Sequence, residues 1–135
     1  LGVFASGGRQ SNWIRNEVST DDLLRLIEAY NGLDEPTVFI AVAGRSNALA
    51  GMLDANTPLP VITCPPVASS FGGADVYSSL RMPSGVAPAV VLEPQGAALA
   101  AAKILALYDP ALRARLVAFQ EQLTQEVIRA DQSVQ

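Results

Sequence analysis

Residues 37–43, TVFIAVA, constrain this chain more than any other stretch. They carry no charge, are rich in β-branched side chains, and are bracketed by Pro36 and Gly44. Side chains of a strand point alternately to its two faces, so an almost unbroken apolar run requires cover on both. Such a strand belongs near the centre of a parallel sheet with helices packed on either side. The composition agrees. Half of the 135 residues are apolar and only 6% are aromatic.

The rest of the chain alternates accordingly. Residues 1–5 read as a short buried strand ending in the turn Ser6-Gly7-Gly8, and residues 9–18 show no clear period. Thr20 can cap a helix with Asp21 and Asp22 at its positive end, an apolar face of Leu23, Leu24 and Ile27, and a stop near Gly32. The pattern then predicts a short helix over 47–53, a strand over 60–63 stopped by Pro65-Pro66, a helical stretch over 74–81, a strand over 87–92 and an Ala-rich helix over 96–107. Asp109-Pro110 opens a last helix as cap and first-turn proline. Its apolar residues Leu112, Leu116, Phe119, Leu123 and Val127 are spaced four, three, four and four, a narrow stripe near the helical period. The predicted architecture is one α/β domain over 1–135, three layers with a parallel sheet and a C-terminal amphipathic helix, its first twenty residues atypical.

Charge and side-chain inventory exclude several functions. The net charge is −4 with no basic cluster, which argues against a nucleic-acid face and against docking to an anionic membrane. There is no histidine, and a single cysteine, Cys64, can form neither a disulfide nor a thiolate metal site, so no metal is expected. Without a histidine partner, Cys64 reads as a small buried hydrophobe. No signal peptide or membrane-spanning run is recognised, and the expected location is cytoplasmic. No Walker, dinucleotide-binding or Ser-elbow motif occurs.

In open α/β sheets, ligands sit beyond the carboxyl ends of the strands. That rule selects three loops. In the first, Gly44-Arg45-Ser46-Asn47, the glycine admits close backbone approach, Ser46 offers a hydroxyl and a helix cap, and the following N–H groups can hold a phosphate. A plain strand-to-helix turn accounts equally well for these four residues. The second loop runs from Cys64-Pro65-Pro66 to Gly72-Gly73 and reads as a structural turn. The third, Ser78 to Gly85, packs two serines, Arg81 and a Pro-Ser-Gly turn between apolar elements, as a binding lip would.

Taken together, AVAGRSNALAGMLDANTPLPVITCPP, GGADVYSSLRMPSG and AVVLEPQGAALAAAKILALYD resemble aminoimidazole ribonucleotide carboxylase of the class II PurE type, from about Leu23 to the C-terminus. The resemblance implies a flavodoxin-like domain and a step of purine biosynthesis in which a nucleophilic imidazole carbon takes up carbon dioxide directly, without metal, biotin, ATP or any other cofactor. It implies that Gly44, Arg45, Ser46 and Asn47 form the substrate and carbon dioxide loop, and that Met82, Pro83, Ser84 and Gly85 line the base pocket. The family's phosphate-holding G-S-x-S-D loop has its nearest counterpart in Ala5-Ser6-Gly7-Gly8-Arg9, and its S-A-H-K loop in Val18-Ser19-Thr20-Asp21-Asp22. Ser6 and Ser19 are thus secondary candidates, while the histidine and lysine have no counterpart and the catalytic base is unassigned. A helix and a strand of the family pattern are not recognised between Gly8 and Val18. The family also implies a homo-oligomer, an octamer, to which the last helix contributes. A non-catalytic nucleotide-binding or assembly paralogue is the competing expectation.

Overall fold

The computed structural model describes residues 2–7, 10–15, 19–66 and 69–133. At its centre lies a five-stranded sheet of order β2-β1-β3-β4-β5. The middle strand, β3 (Thr37–Val42), is buried from Thr37 through Ala41. It runs parallel to β4 (Val61–Thr63), which runs parallel to β5 (Ala89–Val90). The two-sided burial expected of residues 37–43 is realised by alternation. Phe39 and Ala41 pack with Leu23, Ile27, Ala50 and Leu53, which come from α1 (Thr20–Asn31) and α2 (Ala48–Ala55). Val38 and Ile40 face the opposite side, against Ala97 and Ala101 of α4 (Pro94–Leu105). The small alanines let α4 approach closely, and the result is the predicted α/β/α sandwich.

The sheet is not parallel throughout. β1 (Gly2–Gly7) and β2 (Gln10–Arg15) form an antiparallel hairpin, and β1 also pairs antiparallel with β3. The strand expected at 1–5 therefore extends to Gly7, while Leu1 and the Gly8 of the expected turn lie outside the described residues. The stretch 9–18, without period in the sequence, contains a strand. Only two residues separate β1 from β2, and a parallel pairing would need a long crossover, so the short connection dictates the antiparallel ladder.

Element ends shift for local reasons. The cap of α1 is Ser19 rather than Thr20: its hydroxyl oxygen accepts from the Asp22 amide at 3.2 Å. α2 starts one residue later than predicted and ends two later. Residues 74–81 divide into a 3-10 turn, Ala74–Val76, and a single turn α3, Tyr77–Leu80. The strand expected over 87–92 narrows to Ala89–Val90, because the buried Pro88 has no N–H and the Ala87 amide is bonded elsewhere. α4 both starts and ends two residues earlier than predicted, with Pro94 in its first turn.

The last helix, α5 (Pro110–Gln132), is capped as expected. The Asp109 carboxylate accepts from the amides of Ala111 and Leu112 at 2.9 and 3.0 Å. The Arg113 guanidinium donates to the Ala106 carbonyl at 3.2 Å and braces the elbow with α4. None of its residues is buried. Leu112 and Leu116 are half-covered, whereas Phe119, Leu123 and Val127 are exposed. Among the described residues no helix is long and apolar enough to cross a membrane.

Leu53 is fully buried where α2 meets β3 and β4. Truncating Leu53→Ala leaves a cavity the backbone cannot close, at a cost of about 2–5 kcal/mol in urea unfolding.

Candidate functional site

β3, β4 and β5 all end on the same side of the sheet, so the loops that follow them are neighbours. After β3, Ala43 is buried while Gly44, Arg45 and Ser46 are exposed. The Ser46 amide donates back to the Gly44 carbonyl at 2.9 Å, closing a three-residue turn centred on Arg45. Arg45 has φ +69°, unusual for a side chain with a Cβ and strained in this turn. Its backbone N–H donates to the Asp75 carboxylate at 3.3 Å. Gly44 lies beside Pro66: a Cβ there would stand 3.4 Å from the Pro66 ring, an ordinary contact distance. The first two loops are thus in direct contact.

Asn47 takes the N-cap position of α2, but neither it nor Ser46 caps the helix through its side chain. The expected Ser46 cap is replaced by something else. Asn47 is buried, and both ends of its amide face inward. Its Oδ1 accepts from the Thr63 hydroxyl at 2.8 Å, and its Nδ2 donates to Met82 Sδ at 3.6 Å. Thr63, the last residue of β4, is itself buried, so its hydroxyl needs this partner. The Asn47 side chain therefore joins the first loop to the end of β4 and to the third loop.

In that third loop, Met82 is half-buried and Pro83, Ser84 and Gly85 are exposed. The Val86 amide donates to the Pro83 carbonyl at 3.2 Å, and Gly85 has φ +86°, the positive value that a type II turn demands at its third position. The sequence-predicted residues 44–47 and 82–85 thus meet at the Asn47–Met82 contact. Ser19 caps α1, and Ser6 lies within the sheet, opposite Ser11 and Val38. Val18 lies outside the described residues.

Four residues escaped sequence reasoning: Thr63, Asp75, Gly51 and Asp54. A Cβ on Gly51 would approach Met82 Cε to 3.0 Å, and Asp54 accepts from the Ala87 amide at 2.6 Å. Their signal was faint but present: Thr63 is a polar residue in a buried strand, and Asp54 the sole charge in ALAGMLDA.

Behind the loops, Pro65, Pro66, Gly73, Asp75, Val76 and Leu92 line a small cavity of about 170 Å³. A roomier hollow beside Pro36, Tyr108 and Asp109 lies at the opposite end of the sheet and shares no residue with the three loops. Cys64 is buried with the apolar face under α4, and its thiol points to the Leu92 carbonyl at 3.6 Å. Burial raises its pKa above the ordinary thiol value, and the nearby Glu93 carboxylate raises it further. Neutral Cys64 therefore favours the folded state at pH values below the unfolded thiol's range. This contribution is lost as the pH climbs through the raised value. Native protein should react with a disulfide reagent far more slowly at pH 8 than urea-unfolded protein, a difference read directly by the absorbance of the released thiolate. Equal rates would contradict the burial.

Comparison with known proteins follows the same residues. A family model described as AIR carboxylase matches residues 17–126. The phosphoribosylaminoimidazole carboxylase of Archaeoglobus fulgidus is 53% identical over 114 residues, covering 84% of this chain and 62% of that protein. That of Treponema denticola is 45% identical over 113 residues, covering 84% and 71%. The crystal structure of Treponema denticola PurE superposes with a TM-score of 0.82 at 44% identity, covering 85% of this chain and 73% of the other. This chain thus spans less than two thirds of the length of the Archaeoglobus relative.

Proposed function

Because the chain belongs to the AIR carboxylase family, we propose that it acts in purine biosynthesis, joining carbon dioxide to aminoimidazole ribonucleotide without ATP or another cofactor. The observation that carries this reading is the Asn47–Met82 junction, which brings the two loops of the family resemblance together beyond the carboxyl ends of the parallel strands. In this reading Gly44, Arg45 and Ser46 meet the substrate and carbon dioxide, and Met82 to Gly85 line the pocket of the imidazole. Asn47, buried and bonded at both ends, holds the two loops rather than the ligand. The cavity by Asp75 leaves room behind the strained Arg45 turn.

The chemistry is short. The electron-rich imidazole carbon next to the exocyclic amine attacks carbon dioxide, one C–O π pair moves onto oxygen, and a carbon–carbon bond forms. The same ring carbon then loses its proton to a base. These 135 residues contain no histidine, so no imidazole side chain of theirs can serve. General acid–base groups contribute about a hundredfold to ten-thousandfold. Incubation with aminoimidazole ribonucleotide and bicarbonate, followed by detection of carboxylated product, should show turnover lower by about that factor than the Treponema denticola enzyme. Turnover equal to it would show that the His/Lys loop is dispensable. Binding without any product would favour the second reading, a nucleotide-binding or assembly module, which the missing histidine supports.

The reading extends to assembly and location. We place the protein in the cytoplasm as a homo-oligomer, an octamer, built partly through α5. Phe119, Leu123 and Val127 stay exposed on a long helix that leaves its own domain, and a second copy would cover them. Light scattering should return a multiple of the 14.2 kDa chain mass, and the pair Leu116→Glu, Phe119→Glu should reduce it. A monomeric parent would end the idea, and an oligomer indifferent to both glutamates would acquit the helix.

A further inference from the structure

One face of α2 governs the third loop. Asn47, Gly51 and Asp54 are spaced four and three, so they stand above one another along the helix. Asn47 Nδ2 reaches Met82 Sδ at 3.6 Å. Bare Gly51 leaves the space in which the Met82 methyl lies, 3.0 Å from where a Cβ would be. The half-buried Asp54 accepts from the Ala87 amide at 2.6 Å. Met82 and Ala87 bracket the exposed turn of Pro83, Ser84 and Gly85, so a single helix grips both ends of that turn. The grip at Ala87 falls where the sheet offers little. Pro88 lacks an N–H, and β5 begins only at Ala89. A charged acceptor makes the stronger kind of hydrogen bond to that amide.

We propose that Asp54 is a positioning residue: by holding the Ala87 amide it fixes the Met82–Gly85 loop at a set distance from Gly44–Asn47, and so shapes the substrate pocket. The identity of that substrate rests on the carboxylase reading above. Asp54 acts through the loop and touches no reacting atom.

The test uses the full chain with ¹³C-methyl methionine. The sequence holds two methionines, and Met52→Leu identifies the Met82 signal. Asp54→Ala should shift and broaden the Met82 methyl resonance and weaken calorimetric binding of aminoimidazole ribonucleotide by about tenfold. Asp54→Asn keeps an oxygen acceptor and should restore the Met82 signal and bring binding to within about threefold of the parent. Should Asp54→Ala fail to fold, Asp54→Ser, whose hydroxyl is too short to reach the amide, decides in its place. An unmoved Met82 methyl in the alanine variant overturns the proposal, as does unchanged binding by a variant whose methyl has moved. Equal loss in alanine and asparagine variants overturns the hydrogen bond as the cause. A parent chain that binds no aminoimidazole ribonucleotide overturns the carboxylase reading and the pocket with it, while the Met82 methyl still judges whether Asp54 holds the loop.

Discussion

Everything in this molecule hangs on the burial of β3 from both sides. Its alternate side chains enter two separate apolar clusters, one under α1 and α2 and one under α4. With water excluded from both faces, every amide of the strand has to be bonded laterally, which sets β4 on one side and β1 on the other. The strand's end is then as immobile as the core. Gly44 follows two residues after Val42, so the first loop of the candidate site starts from a rigid point.

From that point the loop is held against its own preferences. A strained backbone at Arg45 costs about 1–3 kcal/mol. The forces opposing it are of similar size. An unpartnered buried hydroxyl or amide costs about 1–3 kcal/mol, and both Thr63 and Asn47 would be left so if the loop relaxed outward. The Asp75 carboxylate on the Arg45 amide adds a charge-assisted bond, though at 3.3 Å a long one. Buried polar satisfaction therefore keeps the turn in place, and the same Asn47 that secures it passes the constraint on to Met82. Stability and the geometry of the candidate site are here one set of contacts.

α5 follows a different logic. Its cap and elbow are well made, with Asp109 on two amides and Arg113 on the Ala106 carbonyl, so its direction is defined. Yet it adds nothing to either core cluster. Its stripe is half-covered at Leu112 and Leu116 and exposed from Phe119 onward, and an amphipathic helix is stabilised chiefly where its apolar face is packed.

Local chemistry made much of this legible in the sequence. The apolar run at 37–43, the proline that opens α5, the Asp109 cap and the Gly32 stop act within a few residues, and such short-range rules survive any tertiary context. The loops 44–47 and 82–85 were legible as well, because strand ends and turn residues mark them. The hairpin of β1 and β2 was not, since the residues of β2 show no period of their own and the pairing depends on which strand edge is within reach. Nor could the sequence tell that Ser19 caps α1, that Asn47 faces inward, or that Asp54 and Asp75 grip loops more than twenty residues away. Those roles belong to partners distant along the chain. Periodicity and capping describe a segment against itself, whereas a buried amide or carboxylate acquires its function only from the group that folding brings against it.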